Sequence, residues 1–226
     1  MTASSTPTIR RALLTDLYRA AVTAAAPGPA LDAALNLLAP TLERRVHVLA
    51  LGKAAHSMAV SAVRWLGLRG REPAGGLVVS PEPAEPFHPA LVLAVGDHPE
   101  PGSRSLAAAE LLQYAARQVR PEDEAWVLLS GGTTSLIGAP VPGVSPGDLA
   151  LLYRLLLGSG LDIALMNRIR KRYTRWGAGR LASVLAPASV KNFTISDVIG
   201  DDLAAIGSGP CVPDDSTAAE VRSLLT

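Results

Sequence analysis

The 226-residue chain contains a single cysteine, Cys211, which excludes an intramolecular disulfide framework and fits a reducing compartment. Its N-terminus, MTASSTPTIRRALL, lacks the basic-then-apolar layout of a secretion signal. No run approaches the roughly 18 apolar residues that a membrane span requires. Together these absences lead us to expect a cytoplasmic protein. The formal net charge is only +1, so no electrostatic footprint for nucleic acid or a membrane surface is present. Zinc-type Cys/His spacing is missing. So are a GxS/TxG nucleophile elbow and a Cys–His pair. The GxxxxGK[ST] phosphate loop is absent, and no GxGxxG fingerprint follows any candidate strand. The second absence argues against a nicotinamide-dependent dehydrogenase.

What remains is a chain that can bury a core, with 48% hydrophobic residues and a length that suits one large domain or two small ones. Apolar spacing predicts helices over 8–25, stopped by Gly28-Pro29, and over 31–42. Short β-rich runs are expected at 46–51, 75–80, 91–95, 126–129 and 190–195. Between them we expect helices at 53–66, from Ser103 or Ser105 to about 119, from Pro146 onward with Ser145 as cap, and at 161–173. Val60 is among the residues expected to pack in the first of these. The four prolines between Pro81 and Pro89 mark an irregular loop. Strands alternating with helices predict an α/β fold with a parallel sheet covered on both faces. The segment 218–226 reads as the opening turns of a further helix, which suggests an interrupted chain.

Four places carry possible chemistry. The stretch from Phe193 to Asp215 sets Asp197, Asp201, Asp202, Asp214 and Asp215 around two glycine turns, beyond an apolar run. Ligands of open α/β sheets bind beyond the carboxyl ends of strands, where a carboxylate can hold a metal or take a proton. Turn and cap roles are the alternative for each acid. Gly52-Lys53-Ala54-Ala55 places a cation at a helix start, where the dipole favours anions. That choice makes sense if phosphate docks there; the alternative is a lysine pointing to solvent. Ser130, Gly131, Gly132 and Thr133 follow a strand and can form an anion-binding turn, or simply an ordinary turn with cap hydroxyls. Asn167, Arg170 and Lys171 sit near a helix end, where they can cap carbonyls or clamp a carboxylate or phosphate. His98, in Asp97-His98-Pro99, is a candidate base or donor, with a structural hydrogen bond as its alternative.

Taken in order, GKAAHSMA, GDHPEPGSRSLAAAE, LLSGGTTSL, GSGLDIALMNRIRK, ISDVIGDDLAAIGSGP and VPDDST resemble the glycerate 2-kinase family, whose members end in a MOFRL domain. The resemblance runs from about residue 10 to the end. It implies a Rossmann-like domain over residues 1–226, with the C-terminal MOFRL domain missing. It also implies phosphorylation of the 2-hydroxyl of glycerate, with ATP and Mg²⁺. By the same resemblance Lys53 and Asp197 are catalytic. Ser130, Gly131, Gly132, Thr133, Ser208 and Gly209 bind nucleotide phosphates. Asn167, Arg170, Lys171 and His98 bind substrate, and Asp201 and Asp202 bind metal.

The chain departs from the family pattern at Thr133-Thr134, at Arg172 (where the family has histidine) and at Gly177 (where it has lysine). Cys211 replaces a common threonine. A homo-oligomer or a separate chain supplying the missing domain is the expected partner. A binding module without turnover, a hydroxypyruvate reductase and a split gene product with an exposed apolar cleft face are the alternatives.

Overall fold

A computed structural model describes residues 5–37 and 43–224. In chain order the elements are α1 (Ser5–Ala24), α2 (Pro27–Leu37), β1 (Val46–Leu51), α3 (Ala55–Gly67), β2 (Gly75–Ser80), β3 (Leu91–Val95), α4 (Ser103–Arg117), β4 (Glu124–Leu129), α5 (Thr133–Leu136), α6 (Pro146–Gly158), α7 (Ile163–Tyr173), α8 (Arg180–Leu185), β5 (Ser189–Thr194) and α9 (Ala218–Ser223). All five strands pair in parallel, in the order β3-β2-β1-β4-β5. The α/β fold expected from alternating strands and helices is the one observed.

The sheet is covered on both faces, and β1 shows why its run is apolar without alternation. Leu49 and Leu51 pack on one side with Ala109 and Leu112 of α4. Val48 and Ala50 pack on the other with Met58 and Ala62 of α3. Every residue of β1 and of β4 is buried, as a central parallel strand requires. On the α3 side Trp126 anchors the layer, meeting Trp65 edge-on at 5.6 Å and Phe193 at 5.9 Å between ring centroids. Such aromatic contacts each add about 0.5–1.5 kcal/mol beyond area burial.

Local chemistry moved several expected boundaries. Gly28 and Pro29 do not stop a helix; they form the first turn of α2, where the missing proline N–H would be unpaired anyway. The second helix reaches Leu37, and the rest of its expected span, 38–42, lies outside the described residues. Val60 is exposed on α3. Neither Ser103 nor Ser105 caps α4 as N-cap, for Gly102 holds that position without a side-chain bond. The Asp97 carboxylate reaches in instead, accepting from the N–H of Arg104 at 2.9 Å and of Ser105 at 3.2 Å. Ser145 does cap α6, accepting from Asp148 N–H at 3.1 Å with Pro146 next to it. Along α1 the apolar residues Leu13, Leu14, Leu17 and Val22 are all more than half exposed. Among the described residues no helix is long and apolar enough to cross a membrane.

The strand order reverses direction between β1 and β4. The turns that leave these two strands therefore flank the crevice where open α/β sheets bind ligands.

Candidate active site

Those two turns are locked together. Gly52 has φ of 124°, and a Cβ there would lie 2.2 Å from Ser130 Oγ. Only glycine permits both the conformation and the approach. Lys53 N–H donates to the Gly131 carbonyl at 2.9 Å, and Ala54 N–H donates to Ser130 Oγ at 3.0 Å. The Thr133 hydroxyl lies 2.8 Å from the carbonyls of both Leu51 and Ser130. Ser130 and Thr133 are buried, and their hydroxyls brace the turn. The loop presents Gly131, Gly132, Thr134 and Ser135 to the adjoining cleft.

That cleft has a volume of about 640 Å³ and is walled by Lys53, His98, Tyr153, Asn167, Arg170 and Asp197. Asp197 follows β5 and leans over the loop, so that a Cβ on Gly131 would meet its Oδ2 at 1.9 Å. Gly132 has φ of 86°; a Cβ there would sit 3.2 Å from His98 Cδ2 and 3.3 Å from Lys53 Cε. A cation, a carboxylate and an imidazole thus converge on two glycines. Burial, followed by the charges of Lys53 and Arg170, holds the His98 imidazole below its ordinary pKa of 6.5. It is therefore neutral at pH 7, and its ring can accept a proton.

Arg170 is buried in the same wall, with its guanidinium carbon 4.6 Å from the Tyr153 ring centre. Nη1 lies 3.5 Å from Asn167 Oδ1, while Nε and Nη2 are buried without a partner. Burial lowers its pKa below the usual guanidinium range. Asn167 in turn donates from Nδ2 to the Ala205 carbonyl at 3.4 Å, which pins α7 to the turn after β5.

Other residues singled out in the sequence lie elsewhere. Lys171 turns away from the cleft, with Nζ 3.1 Å from Asp214 Oδ1 and 3.4 Å from the Ala204 carbonyl. Ser208 Oγ is 2.9 Å from Thr134 Oγ1, so it supports the loop from behind. Gly209 has φ of 58° and packs on Ala204; its carbonyl accepts from Gly179 N–H at 2.8 Å. Asp201 and Asp202 are exposed beyond the cleft, and Asp202 Oδ1 accepts from Ala204 N–H in its own turn at 2.9 Å. Among the described residues no three His, Cys, Asp or Glu side chains gather as a metal cluster. Arg172 reaches Ser216 Oγ at 3.2 Å. Gly177 is crowded: a Cβ would meet Thr174 Oγ1 at 2.9 Å and the Ser208 carbonyl at 3.1 Å.

Sequence reasoning missed Tyr153. With Leu149 and Leu156 it forms an ordinary helical core stripe, and nothing in that spacing marks an aromatic ring facing a ligand cleft.

Several relatives share this arrangement of sequence. D-glycerate 2-kinase of Thermotoga maritima is 35% identical over 186 residues, covering 80% of this chain and 43% of the relative. An Agrobacterium vitis protein, whose name provisionally assigns it to hydroxypyruvate reduction, is 39% identical over 129 residues, 57% of this chain and 34% of that one. The crystal structure of the Thermotoga maritima glycerate kinase superposes with a TM-score of 0.79 at 32% identity, covering 94% of this chain and 51% of that one. The chain thus spans about half or less of the length of these proteins. A family model described as a domain of unknown function, DUF4147, matches residues 13–226, and the chain therefore belongs to that family.

Proposed function

We propose that this chain carries the nucleotide- and acid-binding part of a glycerate 2-kinase site, for phosphoryl transfer from ATP to the 2-hydroxyl of D-glycerate. The observation that carries the reading is the convergence of Lys53, His98 and Asp197 on Gly131 and Gly132 at the switch point of the sheet. Phosphoryl transfer asks for positioning and charge neutralisation more than for a covalent intermediate. Two glycines let a polyphosphate approach the backbone. Lys53 faces the same space and offsets developing negative charge. His98, neutral and adjacent, accepts the proton of the attacking hydroxyl. Names of relatives that include glycerate kinases support the same reading.

The residues present fit a magnesium ion. Mg²⁺ is held by one or two carboxylates together with substrate phosphates, not by an all-protein cage. Asp197, exposed and set over the glycine loop, is the carboxylate that would hold it, and Asp201 and Asp202 stand behind as outer candidates. When bound, the ion would neutralise phosphate charge.

A second reading, binding without turnover, is favoured by one observation. Gly177 stands where the resembling family has lysine, and even a Cβ is crowded there.

The deciding experiment is a coupled ADP-release assay with D-glycerate, ATP and Mg²⁺. Turnover abolished by Lys53→Ala and Asp197→Asn supports the kinase. ATP binding without turnover supports the second reading. NADH oxidation with hydroxypyruvate would overturn both. Adding a separately expressed second domain of a relative, and measuring mass in solution, tests whether another chain or another copy completes the cleft. Ile199, which lines the cleft and is fully exposed, is where such a partner would sit. A cytoplasmic location stands with this proposal, and fractionation tests it.

A further inference from the structure

We infer that the end of the sheet opposite the cleft holds a second ligand site, a pocket between β2 and α4 for a small aromatic acid that bears a hydroxyl. His47 Nδ1 receives the hydroxyl, and Arg45 and Arg120 meet the acid's charge. The inference stands independently of the kinase reading.

The pocket arises from a gap in the side-chain layer. Side chains alternate along a strand, so His47 and Gly75 face the same side as Leu49 and Leu77, the side that α4 covers. His47 and Gly75 are also direct partners in the β1–β2 ladder. With glycine at 75 and only alanine at 90, just before β3, little side chain fills the space under the end of α4. The result is a cavity of about 270 Å³, with Leu77 and Val92 on the sheet side and Leu111, Tyr114 and Ala115 of α4 across from them. Chain neighbours aside, a Cβ at Gly75 would meet nothing within 4 Å except the His47 ring, 3.5 Å from Nδ1 and 3.8 Å from Cε1. The space beside that nitrogen is open.

His47 lines the cavity although it is only 4% exposed. Its Nε2 faces the Asp123 carboxylate at 3.0 Å, and an ionised carboxylate only accepts, so Nε2 carries the proton. Burial keeps the ring below its ordinary pKa of 6.5, against the pull of Asp123 and with the charges of Arg45 and Arg120 adding to it. At neutral pH, Nδ1 is therefore a bare acceptor. It has no hydrogen-bond partner among the described residues, and an O–H reaching over Gly75 supplies one.

Arg45 and Arg120 line the same cavity and are exposed, so they stand where it meets solvent. The acid beside Arg120 is Glu122, at 4.0 Å on the surface. Asp123 lies behind the imidazole, where its Oδ2 also accepts from the Arg120 N–H at 3.1 Å, so that charge is already engaged. Apolar walls, an acceptor on the floor and two cations at the mouth fit a flat ring with a hydroxyl at one end and a carboxylate at the other. Tyr114, 67% exposed, offers that ring an aromatic neighbour at the mouth.

The test is an NMR titration of the 226-residue chain with 4-hydroxybenzoate, followed through the backbone amides. Saturable shifts are expected at Gly75, Leu77 and Ala115, with Gly131 and Gly132 unmoved. Benzoate lacks the donor and should bind about three- to tenfold more weakly. The alcohol 4-hydroxybenzyl alcohol lacks the charge and should bind about two- to fivefold more weakly. Gly75→Leu places a side chain in the gap and should cost about tenfold or more. In Arg45→Gln/Arg120→Gln, two surface changes, the acid and the alcohol should bind about equally. Melting curves check the fold of each variant, and the arginine variant with the benzoate comparison decides the point if Gly75→Leu does not fold.

A folded wild-type chain that gives no saturable shift with 4-hydroxybenzoate overturns the inference. So do shifts confined to the Gly131 and Gly132 loop, which would put the acid in the main cleft. Benzoate binding as tightly as its hydroxy analogue, or affinity unchanged in a folded Gly75→Leu, overturns it equally.

Discussion

The Asp197 carboxylate rests directly on Gly131, so closely that a Cβ on the glycine would lie 1.9 Å from Oδ2 and 2.5 Å from Cγ. The loop has little room to shift, because Gly131 is buried and its carbonyl holds Lys53 N–H at 2.9 Å, so the exposed Asp197 side chain is the part that can yield. Gly131→Ala should therefore displace Asp197 or the loop. Misplacement by about 1 Å costs on the order of 10²-fold in rate, so kcat for glycerate phosphorylation should drop by that factor. The folded content, read by circular dichroism, should change little. A variant with wild-type kcat would remove Asp197 from the reacting centre.

His98 is held below its ordinary pKa of 6.5 by burial first, then by Lys53 and Arg170. Removing one positive charge should let it rise. In Lys53→Met the His98 ring should titrate closer to 6.5 than in the wild type, as read from its NMR ring-proton shifts. An unchanged titration would mean that the lysine and the imidazole do not share the cleft.

β1 to β4 were legible as short apolar runs ending at glycine or serine, while β5, SVKNFT, buries only Phe193 and was legible from its β-rich composition ahead of Ser196. Lys53, Asp197, His98 and the two glycines were legible because each follows a strand, where a parallel sheet gathers its loops. What escaped depends on distance along the chain. Lys171 looked like a ligand-binding cation, yet its partner Asp214 is 43 residues away and no local pattern announces the pair. The cap of α4 comes from Asp97, across a loop, and not from a serine at its start. The apolar spacing of α1 predicted a helix, and the helix is there; periodicity states only which face is apolar, and whether another element covers it is decided by tertiary structure.

At the opposite end of the sheet, His47 and Asp123 form a buried pair with Nε2 3.0 Å from Oδ2. Burial lowers the His47 pKa from 6.5 by more than its partner raises it. Burial pushes Asp123 up, but the Arg120 N–H and His47 bonds outweigh it and leave the carboxyl below 3.8. Both groups are thus harder to protonate in the folded state. The unfolded chain binds the extra protons, so stability rises with pH across both ranges. On acidification the His47 part should begin to go below about pH 6.5, and the Asp123 part should go below about pH 4 as the folded carboxyl titrates. The midpoint in urea should fall in these two steps. Asp123→Asn should cost about 1–3 kcal/mol at neutral pH and flatten the lower step. A midpoint independent of pH between 7 and 3 would contradict the assignment.

Asp97 joins two levels of the structure, because the residue that caps α4 is also the neighbour of His98. Its Oδ2 accepts from two backbone N–H groups, and its Oδ1 accepts from Arg104 Nε at 2.6 Å. Its own N–H donates to Ser105 Oγ at 2.8 Å. Asp97→Ala removes the cap and should destabilise the chain by about 1–2 kcal/mol. Asp97→Asn can still accept one N–H and should recover part of that loss. The functional consequence separates cap from scaffold. If Asp97 also anchors the turn that carries His98, the alanine variant should raise KM for glycerate more than a surface substitution of equal stability cost, such as one on exposed α1. Equal KM values in the two would confine Asp97 to helix stability, and His98 would then owe its place to the packing of Gly132 against its ring.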